Sequence, residues 1–258
     1  MANSEIIGAG QDTARRAPKI NTITCGDYRD YISMVDKSCI VITDPPYGID
    51  YNAKRFKKWN GDENTYEKIA MDDAEFDPSL LLSFDSVLLW GGNNFSSKLP
   101  IGGWLCWDKR VKESCDKMFG SPFELAWVKS GKRKIFKFCR LQHGGVVNAD
   151  SEFGNNAKRF HPTQKPIKLM QWCIELISKP GDTIFDPFIG SGTTAIACIN
   201  TGRNYIGIER EEKYCRIAEE RIHALRSPAQ NTAEICHTAP NSRVTQGAKA
   251  HIAEAATS

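Results

Sequence analysis

The chain has 258 residues, of which 41% are hydrophobic, and its formal net charge is +3 at pH 7. This size supports one domain with a sizeable core, and so small a net charge neither requires nor excludes a nucleic-acid partner. No stretch approaches the about 20 consecutive apolar residues of a membrane-spanning helix, and residues 1–18 lack the apolar core of a signal peptide. We therefore expect a cytoplasmic protein with no membrane partner.

Two polar, aperiodic segments, residues 1–18 and 227–258, are expected to be disordered on either side of a folded domain at residues 19–226. At the start of this domain, the runs NTITC, CIVIT and SVLLW predict strands, and they are separated by short helices near 28–34 and 78–82. This alternation predicts an α/β fold with a parallel sheet.

The second half of the domain continues with three strand-like runs, GWLCWDK, FELAWVKS and IFKFCR. No helix long enough for a crossover separates them, so they predict an antiparallel hairpin region at the edge of the sheet. KPIKLMQWCIELIS has apolar residues every three or four positions and predicts a helix. DTIFDPF, a helix from Gly192, NYIGIE and a helix from Glu211 predict a closing strand–helix–strand–helix unit.

Nine cysteines are scattered along the chain, and none forms a Cys-x-x-Cys pair. Cys39, Cys106, Cys173 and Cys198 lie within apolar runs, which is typical of reduced thiols in a protein core. The spacing is not that of a disulfide framework or a zinc site, so we expect no metal.

The strand CIVIT ends in a rigid, acceptor-rich segment made of Asp44, Pro45, Pro46 and Tyr47. The two prolines fix φ and remove two backbone donors, so the carbonyl groups after Asp44 are not consumed by a sheet ladder. A carboxylate and fixed carbonyl acceptors therefore lie next to an aromatic ring. Taken alone, the segment also fits an ordinary turn at the end of a strand.

Two basic segments are interleaved with aromatic residues. One follows DPPYG, and the other lies between the runs FELAWVKS and IFKFCR. Such stripes suit a phosphate backbone, with rings available to stack on bases, although a solvated face can have the same composition. The basic residues that we expect to contact nucleic acid are Lys54, Arg55, Lys57, Lys58, Lys132, Arg133 and Lys134.

A glycine turn lies between a predicted strand and a predicted helix in IFDPFIGSGTTA. Gly190 and Gly192 would let the backbone approach a ligand at a helix N-terminus, and Glu209 ends the next strand, where it could accept hydrogen bonds from ribose hydroxyls. No Gly-Lys-Ser/Thr follows, which excludes a Walker phosphate loop. The loose G-x-G-x-x-A pattern leaves a nicotinamide-dependent oxidoreductase open.

Two observations favour a cofactor without phosphates over a dinucleotide. A polar segment follows soon after one strand–helix–strand–helix unit, whereas a dinucleotide fold needs a second nucleotide-binding half. Asp186 precedes the turn, and its carboxylate would be unfavourable beside a pyrophosphate. A cofactor that carries a cationic amino acid fits Asp186 better.

The motifs DPPYG, HPTQKP and FDPFIGSGTT, in this order, resemble those of the S-adenosylmethionine-dependent DNA amino-methyltransferases of the circularly permuted, or beta, group. The resemblance spans residues 20–222. It implies a Rossmann-like methyltransferase fold, circularly permuted, with a mostly parallel seven-stranded sheet and an antiparallel edge hairpin. It also implies S-adenosylmethionine as cofactor and double-stranded DNA as partner, and it leaves both a monomer and a homodimer open.

The resemblance also implies roles for individual residues. Asp44 and the Pro45 carbonyl would accept the N–H groups of the target amine, while Tyr47, beside Pro46, would stack on the flipped base. LLWGGNNF resembles the stretch that lines the cofactor and base pockets, and residues 49–76 and 108–160 would form the DNA-recognition loops. The implied cofactor-binding residues are Asp27, His161, Thr163, Gln164, Lys165, Asp186, Phe188, Gly190, Gly192, Thr193 and Glu209.

The leading Asp of the DPPY motif favours the N6 amino group of adenine as the methylated atom. Cytosine N4 in the same fold is the main alternative, and a DNA-binding relative that has lost catalysis is another. Methylation at carbon 5 of cytosine needs an enzyme thiol, and no cysteine follows a proline in this chain. We therefore expect a site-specific DNA adenine methyltransferase.

Overall fold

The computed structural model describes residues 16–48, 72–109, 122–129, 136–140 and 164–226, with only the backbone described for 136–140. The chain divides into two units, residues 1–227 and 228–258, and every described residue lies in the first. The predictions of disorder at both ends of the chain therefore concern segments that lie almost entirely outside the described residues.

Eight strands in the described residues form one mixed sheet. In chain order they are β1 (Thr22–Cys25), β2 (Ile40–Thr43), β3 (Ser86–Trp90), β4 (Gly103–Asp108), β5 (Phe123–Val128), β6 (Phe136–Arg140), β7 (Thr183–Asp186) and β8 (Asn204–Glu209). Across the sheet their order is β1-β8-β7-β2-β3-β5-β4-β6. The predicted Rossmann-like α/β class, with a mostly parallel sheet, is confirmed.

The antiparallel pairing lies toward one edge of the sheet, as predicted for the runs GWLCWDK and FELAWVKS, but the prediction was wrong for IFKFCR, whose strand pairs parallel. β5 pairs antiparallel with both β3 and β4, and β6 then pairs parallel with the outer side of β4. This last strand is one more than the seven predicted. It forms because an edge strand such as β4 leaves a row of backbone groups unpaired, and the segment rich in aromatic residues that begins at Phe136 pairs with that row.

The centre of the sheet is the point at which the strand order reverses. β2 pairs in parallel with β7 on one side and with β3 on the other. The chain runs outward from β2 to β3 in one direction and from β7 to β8 in the other. In open α/β sheets, ligands bind beyond the carboxyl ends of the strands at such a point. The segments that follow Thr43 and Asp186 meet there.

Three α-helices are present in the part of the chain that the structure describes: α1 (Ile167–Ile177), α2 (Thr193–Asn200) and α3 (Glu212–Arg226). In α1 the buried residues Leu169, Met170, Cys173 and Ile174 recur at the predicted helical spacing. The predicted short helix near 28–34 consists of two separate 3₁₀ turns, Tyr28–Asp30 and Ile32–Met34, and the one near 78–82 is a single 3₁₀ turn, Leu81–Ser83. No described helix has the length and apolar character needed to cross a membrane.

The core has two parts, one on each face of the sheet. Ile40 and Ile42 of β2 pack in one cluster with residues of α1 and α2, whereas Val41 packs in the other with Phe84 and Phe185. All four residues of β2 are buried, which explains its continuous apolar and β-branched sequence. Full burial of each aliphatic side chain contributes about 1.5–3 kcal/mol, so β2 is a rigid support for the segment that follows it.

Candidate active site

A hydrogen-bond network around Asp186 joins the ends of β2 and β7. The Thr43 hydroxyl donates to Asp186 Oδ1 at 2.6 Å, and the Thr194 hydroxyl donates to Oδ2 at 2.5 Å. The Phe188 N–H also donates to Oδ1, at 3.0 Å. Burial raises the pKa of Asp186 to about 6, although the Thr194 and Thr43 hydroxyl groups act in the opposite direction. Asp186 therefore fixes the start of the glycine turn relative to the end of β2.

The two glycines of this turn differ in their surroundings. Both have positive φ, 53° at Gly190 and 85° at Gly192. A Cβ at Gly192 would lie 2.9 Å from the Cβ of Ala218 in α3. Among the described residues, a Cβ at Gly190 would meet only the Phe188 carbonyl oxygen, at 4.0 Å. Gly192 is thus required for helix packing, while Gly190 borders open space in which a ligand can approach. Thr193, which begins α2, is buried.

Glu209 lies beside the glycine turn at the end of β8. Its Oε2 accepts the Gly190 N–H at 3.0 Å, and its Oε1 accepts the Glu211 N–H at 2.8 Å. Burial raises the pKa of Glu209, and the Glu211 and Gly190 N–H groups lower it in part. Each carboxylate oxygen has a second lone pair, so the oriented side chain can still accept a hydroxyl donor.

Asp27 follows β1 at the same edge of the sheet, because Cys25 of β1 pairs with Glu209. Its carboxylate caps a 3₁₀ turn and accepts hydrogen bonds from the Arg29 backbone and guanidinium. The hydrogen bond with the Arg29 side chain lowers the pKa of Asp27 despite partial burial. The next residue, Tyr28, packs against Phe188, with ring centroids 4.8 Å apart. An aromatic wall therefore lies between Asp27 and the glycine turn.

The DPPY segment carries a second polar cluster. The Tyr47 hydroxyl donates to Asp44 Oδ1 at 2.5 Å, and Lys165 Nζ donates to Asp44 Oδ2 at 2.6 Å and to Tyr47 Oη at 3.2 Å. The Tyr47 ring covers Gly91, at which any Cβ would overlap the ring. Pro45 is buried, and Pro46 is partly buried. The segment thus presents a carboxylate, a phenol and fixed carbonyl groups together.

Glu124 and Lys109 extend this cluster toward the edge hairpin. Glu124 Oε2 lies 3.1 Å from Lys165 Nζ, and Glu124 Oε1 lies 3.1 Å from Lys109 Nζ. Burial raises the pKa of Glu124, but the Lys165 and Lys109 ammonium groups outweigh it and bring the value to about 2. Burial lowers the pKa of Lys165, but the Asp44 and Glu124 carboxylates hold it well above its usual range. Lys165 is therefore a buried cation shared by two carboxylates.

The predicted site residues fall into two described groups. Gln164 joins the glycine turn, because its side-chain oxygen accepts the Ser191 hydroxyl at 3.2 Å. Lys165, expected on the cofactor side, instead contacts Asp44 of the DPPY segment. Sequence reasoning assigned no role to Thr43, Thr194, Glu124 and Lys109. Thr43 precedes the DPPYG motif and Thr194 ends the FDPFIGSGTT motif, whereas Glu124 and Lys109 belong to no motif.

Several predicted residues lie outside the described residues. These include His161 and Thr163, although the adjoining Gln164 and Lys165 are described. The same is true of every basic residue predicted to contact nucleic acid: Lys54, Arg55, Lys57, Lys58, Lys132, Arg133 and Lys134. Among the described side chains, no group of three or more His, Cys, Asp or Glu residues could hold a metal ion.

The site combines a glycine turn, an acid at the end of the next strand and a rigid acceptor segment, and it lies where the strand order reverses. Together these features define a nucleoside-cofactor-binding α/β enzyme. Comparison with known proteins gives the family. A model described as DNA methylase, of N6/N4 type, matches residues 106–220. The putative methylase YubD of Escherichia coli (strain K12) is 41% identical over 209 residues, which cover 75% of this chain and 85% of that protein. The chain therefore belongs to the DNA methylase family, as the three motifs predicted.

Two further similarities are narrower. The type II methyltransferase M.HinfI of Haemophilus influenzae is 47% identical over 78 residues, which cover 30% of this chain and 21% of that protein. The chain thus spans about a fifth of the length of that relative. The crystal structure of the M1.HpyAVI-SAM complex has a TM-score of 0.46 and 21% identity, covering 78% of this chain and 98% of that one.

Proposed function

We propose that this protein transfers a methyl group from S-adenosylmethionine to the N6 amino group of adenine in double-stranded DNA. The observation that carries the proposal is the position of Asp44, which follows β2 directly beside the glycine turn that follows β7. The Thr43–Asp186 hydrogen bond ties the two segments together. A cofactor in the turn and a base against Tyr47 would thus meet at one edge of the sheet.

The described residues at the glycine turn fit S-adenosylmethionine. Gly190 borders open space, Glu209 has acceptor capacity for ribose hydroxyls, and Asp27 with the Phe188 wall suits a flat purine. The ammonium group of the cofactor's methionine would lie in the acidic surroundings of Asp186. When bound, this cofactor supplies an electrophilic methyl group on a sulfonium.

Asp44 would prepare the amine that receives the methyl group. An exocyclic amine is conjugated with its ring and is a poor nucleophile. Acceptance of its N–H bonds by Asp44 and the Pro45 carbonyl favours a tetrahedral nitrogen with an available lone pair. Tyr47 would hold the flipped base by stacking, and this offsets the few kcal/mol lost when a base leaves the duplex stack. As the acceptor of an amine N–H, Asp44 would also be placed to take the proton that the methylated nitrogen must lose.

Adenine is proposed over cytosine because the motif begins with Asp, as in the adenine enzymes that it resembles. Cytosine N4 is the second candidate, because the N6/N4 family type covers both exocyclic amines. The oxidoreductase alternative is not retained, since the family assignment accounts for the glycine turn without a dinucleotide.

The proposal is tested by mixing purified protein with methyl-labelled S-adenosylmethionine and either unmethylated duplex DNA, single-stranded DNA or RNA. We expect label in duplex DNA, and none after heat inactivation of the protein. Calorimetry with the cofactor alone should show binding to one site per chain. Cofactor binding without label in any nucleic acid would refute methyl transfer and favour a DNA-binding relative that has lost catalysis.

A further inference from the structure

The Lys165 ammonium lies among three oxygen atoms from two separate elements. Asp44 Oδ2 is 2.6 Å away, Tyr47 Oη is 3.2 Å away, and Glu124 Oε2 of β5 is 3.1 Å away. The Lys165 side chain is only 8% exposed, so water cannot readily replace any of these partners. A small shift of the ammonium would exchange one carboxylate for the other, so the Lys165 charge stays paired throughout, while Asp44 keeps the Tyr47 hydroxyl and becomes available to another donor.

Glu124 Oε2 is available to accept a hydrogen bond from Lys165 after such a shift. Its Oε1 accepts a hydrogen bond from Lys109, but its buried Oε2 accepts none among the described residues, even though Lys165 Nζ is within ion-pair distance. Buried carboxylate oxygens are rarely left without a donor. The unused Oε2 faces Lys165 and is placed to receive its hydrogen bond.

Asp44, in contrast, has both oxygens engaged. Oδ1 accepts the Tyr47 hydroxyl, and Oδ2 accepts the Lys165 ammonium. A carboxylate that is hydrogen-bonded to an ammonium is a weaker acceptor for a further donor. Oδ2 keeps a second lone pair, but the ammonium weakens it as an acceptor, so an amine of the target base would bond more strongly to Oδ2 once Lys165 had moved away.

We propose that Glu124 is a positioning residue that draws Lys165 away from Asp44 when the target base enters, so that Asp44 Oδ2 can accept the amine. This inference rests on the proposed function, because it assigns a step to the same Asp44. Lys165 exchanges its hydrogen bond with Asp44 for one with Glu124 Oε2, and no covalent bond changes. Glu124 acts through Lys165 and does not touch the base.

Among the described residues, four charged or titratable groups face Asp44, and a fifth faces Glu124. Tyr47 belongs to its own segment, Lys165 precedes α1, Glu124 belongs to β5, and Asp186 ends β7; Lys109, after β4, faces Glu124. Because the negative charge of Glu124 disfavours the ionised form of Asp44, its removal lowers the pKa of Asp44. Loss of the Lys109 cation acts in the opposite direction.

The test is the pH dependence of single-turnover methyl transfer in Glu124→Gln, Lys109→Met and the wild-type protein. For Glu124→Gln we expect a plateau rate lower by about tenfold, because Lys165 stays on Asp44. Its acid limb, where Asp44 takes up a proton, should move to lower pH. For Lys109→Met the acid limb should move to higher pH. Thermal melting should fall for Glu124→Gln, because two ammonium groups lose a carboxylate partner, whereas its cofactor affinity should match the wild type.

The outcomes separate this inference from the proposed function. A slower plateau with a downward-shifted limb in Glu124→Gln supports the inference, because general damage to the fold would slow transfer without moving the limb. A wild-type rate and limb in Glu124→Gln would overturn it and leave the proposed function intact. If Glu124→Gln does not fold, a Lys109→Met limb at or below the wild-type pH overturns the inference. A wild-type protein that transfers no methyl group would refute both.

Discussion

Replacing Gly192 by alanine should destabilise the fold more than the same change at Gly190. Both residues have positive φ, so alanine costs about 1–2 kcal/mol of backbone strain at either position. At Gly192 the new Cβ would also lie 2.9 Å from the Cβ of Ala218, and overpacking of this kind costs a further about 1–3 kcal/mol. The free energies of unfolding of the two variants, measured in urea, should therefore differ by about 1–3 kcal/mol, the cost of overpacking at Gly192.

The same pair of variants separates packing from ligand approach. Gly190→Ala should remain folded but bind S-adenosylmethionine more weakly in calorimetry, because its Cβ projects into open space beside the turn. Gly192→Ala should melt at a lower temperature, by about 2–4 °C for each kcal/mol lost in a domain of this size. Equal free energies of unfolding for the two variants would show that α2 and α3 do not constrain Gly192 as described.

Three further changes probe the site. Asp44→Asn should slow methyl transfer by at least about 100-fold while leaving the calorimetric affinity for the cofactor unchanged; a near-normal rate would rule out Asp44 as the amine acceptor. Asp186 has its pKa raised from 3.8 to about 6, so the folded state retains a proton that the unfolded state releases, and wild-type stability relative to Asp186→Asn should fall as pH rises through this window. If the free energies of unfolding of the wild type and Asp186→Asn, measured in urea, differed by the same amount at every pH in that window, this prediction would be contradicted. Alanines at the basic positions of 132–134 should reduce the slope of log affinity for DNA against log salt by roughly 0.9 per lost phosphate contact, whereas Lys179→Ala, before the amino end of β7, should leave the slope unchanged.

Most of the sheet could be predicted from local pattern. β2 could be recognised because a strand covered on both faces is continuously apolar, and α1 because its buried residues recur at helical spacing. The segments before β2 and β3 were harder, because single 3₁₀ turns are too short to show a periodicity. The pairing of β6 with β4 depends on a free sheet edge, which no single segment reveals.

The site was predictable as motifs but not as contacts. Asp44, Gly190 and Glu209 could be found because each belongs to a recognisable local pattern. The position of Lys165 could not, because its partner Asp44 lies 121 residues away along the chain and only the folded sheet brings them together. Glu124 has no local signal at all, since a single acid in a strand resembles any solvated position.

The identity of the methylated atom is settled by mass spectrometry of nucleosides from unmethylated duplex DNA after incubation with the protein and methyl-labelled S-adenosylmethionine. We expect labelled N6-methyladenine, and at least about 100-fold less label at equal times with Asp44→Asn. Labelled N4-methylcytosine would contradict the adenine assignment while keeping the role of Asp44, and label in neither base would contradict methyl transfer to DNA.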